Sequence, residues 1–135
     1  MKLTFFVALL ALPLIGCGEA KYTEGAMCGG RPEGWLSPSS GIGELAVLQP
    51  IHVTSNDAIV WNGKTITADK LSTYLALQRQ LDPRPQTSLI VEAGADCKTV
   101  VDVRRRMEEA LSCKSWGGCG EGRDWRRYPG ARIED

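Results

Sequence analysis

The residues with most chemistry to offer are five cysteines, Cys17, Cys28, Cys97, Cys113 and Cys119, and a single histidine, His52. His52 sits in Ile51-His52-Val53-Thr54, a run that alternates at period two. No Ser, Cys or Asp stands at a spacing that would make it a partner for His52, so a structural or exposed histidine is expected. Asp57, Asp69 and Asp96 fall at turns or caps, where carboxylates accept backbone N–H groups. Arg104-Arg105-Arg106 lies one helical turn before Glu108 and Glu109 and reads as a solvated face rather than an anion site. The chain contains no P-loop, dinucleotide fingerprint, paired-histidine zinc motif or nucleophile elbow. Neither a catalytic residue nor a cofactor is expected.

Cys17 stands apart from the other four cysteines. Lys2 is followed by an apolar run from Leu3 to Ile15 that contains Pro13 and ends in Gly16-Cys17-Gly18. That is the pattern of a signal peptide over residues 1–16, shorter than the roughly 20 apolar residues a spanning helix needs. Leu14-Ile15-Gly16-Cys17 resembles the bacterial lipobox, which implies cleavage before Cys17 and acylation of that residue; cleavage near Gly18 or Ala20 would leave no lipid. Acylation removes the odd cysteine and leaves an even set in an oxidising compartment, where disulfides persist. A four-cysteine metal site is the competing reading. Zinc sites favour close C-x-x-C pairs, and the nearest pair here, Cys113 and Cys119, is wider, so disulfides are preferred and no metal is expected.

The elements that must position these residues follow from periodicity. Residues 17–44 are rich in Gly, Ser and Pro and read as a flexible tether. A folded domain is expected over 45–113. Ile51–Thr54 and Ala58–Trp61 are strand-like, and Asn62-Gly63 can turn the chain into a short third strand, Lys64–Ile66. A helix is predicted from about Ala68 to Gln80, with Thr67 as its cap and Leu71, Tyr74, Leu75, Leu77 and Leu81 facing a sheet. Ser88–Val91 suits a central strand. A second helix is predicted from Thr99 to about Leu111, opened by a capping-box-like Thr99-x-x-Asp102 and burying Val100, Val103, Met107, Ala110 and Leu111. The fold class is α+β, a small two-layer sandwich with two helices on one face of a sheet of three or four strands. The segment 114–135 reads as an irregular tail, in which Trp116, Trp125 and Tyr128 stand among Arg123, Arg126 and Arg127. Such a pattern can stack on bases. The balance of 16 basic and 16 acidic residues argues against nucleic acid, so an edge-covering or disordered tail is expected.

Helix geometry constrains the disulfides. A helix over 99–111 holds Cys97 and Cys113 roughly 20 Å apart at about 1.5 Å per residue, whereas a bridge needs Cα atoms about 5.5 Å apart. Cys119 could reach Cys97 only by running back along the helix almost fully extended, and Gly117-Gly118 favours a tight turn instead. The expected pairs are Cys113 with Cys119 and Cys28 with Cys97.

The order strand, strand, Asn-Gly, helix, Pro-rich break, apolar strand, Ala-Asp, helix resembles the periplasmic domain of the ExbD/TolR biopolymer-transport family. The residues that carry this resemblance are Ile51 and Val53, Ile59–Gly63, Ile66–Leu71, Leu89–Val91, Ala95-Asp96 and Val100–Val103, within residues 50–113. In that family the domain follows a transmembrane helix with an essential carboxylate. Here there is no Asp or Glu between Leu3 and Gly18, so proton coupling is not carried over to any residue, and no closing strand is visible after the second helix. The resemblance implies a fold and a dimerising or binding surface. The resulting expectation is a non-enzymatic envelope lipoprotein in the periplasm, membrane-bound through lipid, that binds a partner protein, itself or cell-wall material. A periplasmic thiol-active or hydrolytic enzyme is the alternative.

Overall fold

The computed structural model describes residues 18–43 and 45–127. Cys17, its expected lipidation, the signal segment and Tyr128 lie outside the described residues. Strands β1 (Leu48–Val53), β2 (Ile59–Trp61) and β3 (Lys64–Ile66) are followed by helix α1 (Ala68–Gln78), strand β4 (Gln86–Val91), helix α2 (Cys97–Leu111), a single helical turn α3 (Cys113–Trp116) and strand β5 (Cys119–Glu121). The sheet has five strands in the order β3-β2-β1-β4-β5. Both β1–β4 and β4–β5 are parallel, while β1–β2 and β2–β3 are antiparallel. The α+β class holds, with one strand more than expected. The closing strand is β5, which spacing does not reveal because it is three residues long with Gly120 at its centre. Among the described residues no helix is long and apolar enough to cross a membrane.

Alternation on β1 and β4 builds the core. Ile51 pairs with Leu89 and Val53 with Val91, and all four are buried beneath Leu71 and Leu75 of α1 and Val100, Val103, Met107 and Leu111 of α2. Fully burying each such side chain stabilises by roughly 1.5–3 kcal/mol. The opposite face of β4 is also closed. There Ile90 is buried with Ile42 and Trp125, and the Trp125 ring lies so near Gly120 that a Cβ on that residue would stand 2.3 Å from it.

Helix α1 starts as its cap predicts, with Thr67 Oγ1 accepting the Lys70 N–H at 3.1 Å. Its apolar stripe divides. Leu71 and Leu75 are buried together with Gln78, whereas Leu77 is 57% exposed and Leu81, past the helix end, 54%. The inner row is therefore 71-75-78, and Tyr74, Leu77 and Leu81 form a second row beside it. The α2 stripe is as expected except that Ala110 is only partly buried and Arg104 is buried within it.

The start of α2 differs from its prediction. It begins at Cys97, because its first donors are met by the N-terminal segment and not by Thr99: Ala20 O accepts the Cys97 N–H at 2.9 Å. The segment 17–44 is accordingly no flexible tether over its described part. The Tyr22 N–H donates to Ala95 O at 2.7 Å and Gly94 N–H to Tyr22 O at 3.0 Å. Leu36 lies alongside β5, its N–H donating to Cys119 O at 2.8 Å and its carbonyl accepting from Glu121 N–H at 3.0 Å. Tyr22, Trp35 and Ile42 are buried. This arm covers the β5 edge, and residues 114–121 of the supposed irregular tail supply most of α3 and that edge strand.

Candidate functional site

The described residues cluster their polar chemistry where the arm crosses the carboxyl ends of β4 and β5. Cys28 is bonded to Cys97 across a sequence separation of 69, with Cα atoms 5.3 Å apart, and Cys113 to Cys119 across a separation of 6, with Cα atoms 5.2 Å apart. This is the pairing that the helix geometry requires. The long bond fastens the arm to the first residue of α2. The short one closes α3 onto the start of β5, after the left-handed Ser112 and Gly117 have turned the chain back.

Beside the long bridge lies a buried ion pair. Arg104 projects from α2 and Glu121 from β5, with Nε to Oε2 at 2.9 Å and Nη2 to Oε1 at 2.6 Å. The same guanidinium donates to Cys28 O at 3.1 Å and Met27 O at 2.7 Å, so its fork grips helix, strand and arm together. Arg104 is thus no part of a solvated face. It stands four residues after Val100 and three before Met107, inside the buried stripe, and this spacing was the available signal. Arg105 does face outward, whereas Arg106, its side chain 18% exposed, is turned toward α1. Arg105 pairs with Asp102 and Glu109, and Arg106 with Asp102 and Asp69 while also donating to Ala68 O and Ser72 Oγ of α1. The two guanidiniums, Arg106 first, hold the Asp102 carboxyl below its usual range.

A pocket of about 210 Å³ opens next to that pair, lined by Tyr22, Glu24, Arg31, Val91, Gly122 and Arg123 among others. Arg31 Nε donates to Glu121 O at 3.0 Å and Arg123 Nη2 to Val91 O at 3.0 Å. Burial, and after it the Glu121 carboxylate, raises the Tyr22 phenol above its ordinary range, so it remains a neutral donor. A second concavity of about 250 Å³ lies at the opposite end of the sheet, where Trp61, Tyr74, Leu77, Leu81 and Pro85 meet Gln49 and Asn62. Trp61 and Tyr74 have ring centroids 5.5 Å apart there.

Neither a family model nor a curated protein matches this chain.

The residues singled out in the sequence do not converge. His52 is half-buried on β1, paired with Val60 and Ile90 on either side. Asp57 accepts the Asp96 N–H at 2.8 Å, and Lys21 of the arm ion-pairs with the Asp96 carboxylate and holds it below its usual range. Asp69 lies in the first turn of α1. Among the described residues no group of three or more His, Cys, Asp or Glu gathers as a metal site. Sequence reasoning missed Tyr22, Arg31 and Glu121, and placed Arg123 only in an irregular tail. All four lie in segments without periodicity, and they meet only because the arm returns across the sheet.

Proposed function

We propose that the chain is a non-enzymatic cell-envelope lipoprotein, held at a bacterial membrane through acylated Cys17, whose ExbD/TolR-like domain binds a partner protein or a second copy of itself. The observation that carries this reading is the docking of the arm at Ala20, whose carbonyl accepts from Cys97 N–H at 2.9 Å. Only Gly18 and Glu19 lie between Cys17 and that hydrogen bond, so the anchor and the domain are separated by about 10 Å at about 3.5 Å per residue. A free tether over 17–44 would have reached roughly 95 Å on the same scale and brought distant cell-wall material within range. The docked arm favours a partner in or near the same membrane.

This docking also orients the molecule. The β1–β2 turn around Ser55 lies at the end of the sheet where Asp57 bonds to Asp96, next to the arm, and Asn62-Gly63 lies at the other end. An anchored domain turns the strip of Trp61, Tyr74, Leu77 and Leu81 away from the bilayer. Exposed leucines beside an aromatic pair, rimmed by Gln49 and Asn62, suit a protein surface. The Cys113–Cys119 bond is fully buried, and this argues against thiol exchange, which needs a sulfur that can be attacked.

The test combines fractionation with cross-linking. Cys17→Ser should release the protein from membranes and abolish acyl labelling, and a photo-cross-linker at Leu77 should capture a membrane-associated protein or a second copy. Retention of the Cys17→Ser protein in membranes, or capture from Ser55 and not from Leu77, contradicts the proposal.

A further inference from the structure

We infer that the pocket between the arm and the carboxyl ends of β4 and β5 binds an anionic phosphate group, gripped by Arg31 and Arg123 with the Tyr22 hydroxyl as a third donor. Crevices beyond the carboxyl ends of parallel strands are where open sheets place ligands, because side chains and backbone groups from several segments converge there. Here the arm supplies Tyr22, Glu24 and Arg31, and the segment after β5 supplies Gly122 and Arg123.

The state of the arginines identifies the ligand's charge. Arg104, which is buried, has its fork filled by Glu121 and two carbonyls, and Arg105 and Arg106 have carboxylate partners of their own. Arg31 and Arg123 each make one hydrogen bond, to a backbone carbonyl, and among the described residues neither forms an ion pair. One bond per guanidinium fixes its position and leaves several N–H donors for a ligand. The Glu121 carboxylate is engaged by Arg104 through both of its oxygens. Arg31 is half-buried with no carboxylate paired to it among the described residues, and an anion offsets the cost of holding its charge there.

The floor of the pocket is shaped to match. Gly122 has φ +135°, and a Cβ there would stand 2.5 Å from Pro38 Cγ, so this lining position favours glycine. A neighbouring groove shares Pro38 and Arg123 and adds Ser39, Asp124 and Arg126, which gives room for a group attached to the phosphate. Glu24 is the one lining residue of opposite effect. It is exposed at the pocket wall and forms no ion pair among the described residues, so it weakens the site without closing it. Tyr22 is a few residues from Cys17, so in an anchored protein the phosphate of a lipid headgroup is within reach, as is a free phosphate. The lipid source rests on the lipid-anchor reading; the phosphate site does not.

The mature disulfide-bonded chain, titrated with inorganic phosphate at low ionic strength, should show saturable amide shifts around Tyr22, Arg31 and Arg123. Arg31→Gln and Arg123→Gln should each weaken binding about tenfold, as loss of a charge-assisted hydrogen bond does. Glu24→Gln should tighten it, and Arg79→Gln, remote on α1, should leave it unchanged. Arg123 is exposed, so its variant keeps the fold, and an unchanged thermal midpoint verifies this. Co-sedimentation with phosphatidylcholine vesicles, with and without phosphatidylglycerol, separates the sources. A phosphatidylglycerol preference lost in Arg31→Gln and Arg123→Gln assigns the headgroup, and phosphate binding without that preference assigns a soluble ligand. No saturable phosphate binding, or binding that both arginine variants retain, overturns the inference.

Discussion

The two ends of the sheet are held together by different means. At the β3 end, β2, β3 and α1 rely on apolar packing, through Ile59, Leu71 and Leu75 with Trp61 against Tyr74, and no covalent link crosses them. At the β5 end, both disulfides, the buried Arg104–Glu121 pair and a series of backbone hydrogen bonds from the arm converge. The difference follows from composition. The arm has few large apolar residues, Tyr22, Trp35 and Ile42 being its buried ones, and it cannot offset the entropy of ordering by burial alone. Covalent and ionic ties do this instead, and they hold the arm beside the pocket.

Removing the long staple should break this comparison most severely. Cys28→Ser with Cys97→Ser opens a loop of 69 residues and should cost about 4 kcal/mol by loop entropy. Hydrogen exchange should place the loss in the arm, at the amides of Tyr22 and Leu36, before it reaches β1 and β2. The buried pair should come next. Glu121→Ala strands a buried guanidinium and should cost about 3 kcal/mol, whereas replacing Arg104 and Glu121 together by apolar residues of similar size should recover most of this. Denaturant titration of the double-mutant cycle measures the coupling. Leu75→Ala provides the contrast at the other end: a cavity there should cost about 2.5 kcal/mol and lower the protection of every core amide together, without selective release of the arm.

Much of this organisation was legible where local chemistry decides it. The Thr67 cap, the α2 stripe and the β4 run are each set by residues within one turn or one strand of each other. The disulfide pairing was also legible, because a rigid helix separates Cys97 from Cys113. The order of the arm was not. Its hydrogen bonds go to Ala95, Cys97, Cys119 and Glu121, residues distant in sequence, and Gly-rich composition gives no sign of them. Arg104 was misread because its charge outweighed its position in the stripe, and Glu121, its partner, lies in a three-residue strand with no pattern.

The smallest effect concerns a tie that spans the two ends. Asp102 accepts from Arg105 and Arg106, and Arg106 reaches across to α1. Because the folded carboxyl titrates below its unfolded value, its contribution is fully present above the unfolded value and is lost as pH falls through the lowered folded one. Asp102→Asn should therefore destabilise at neutral pH, by no more than about 1 kcal/mol at this partly exposed position, and the variant and the parent should converge in acid. Denaturation midpoints between neutral pH and the acid side of the carboxyl titration check it.

The arm is part of the fold, and with Cys17 acylated as proposed it holds the domain close to the membrane. Genetically encoded spin labels at Ser55 and at Asn62, in acylated protein reconstituted into vesicles with a relaxation agent confined to the headgroups, test it directly. Asn62 follows Trp61, the partner of Ile51, and Ser55 lies just past Val53, so the two sites are separated along the strands by roughly 16 Å at about 3.3 Å per residue. The account predicts strong relaxation at Ser55 and weak relaxation at Asn62, with the difference lost on removal of the Cys28–Cys97 bond. Weak and equal relaxation at both sites in the intact protein, as a freely swinging domain would give, contradicts it.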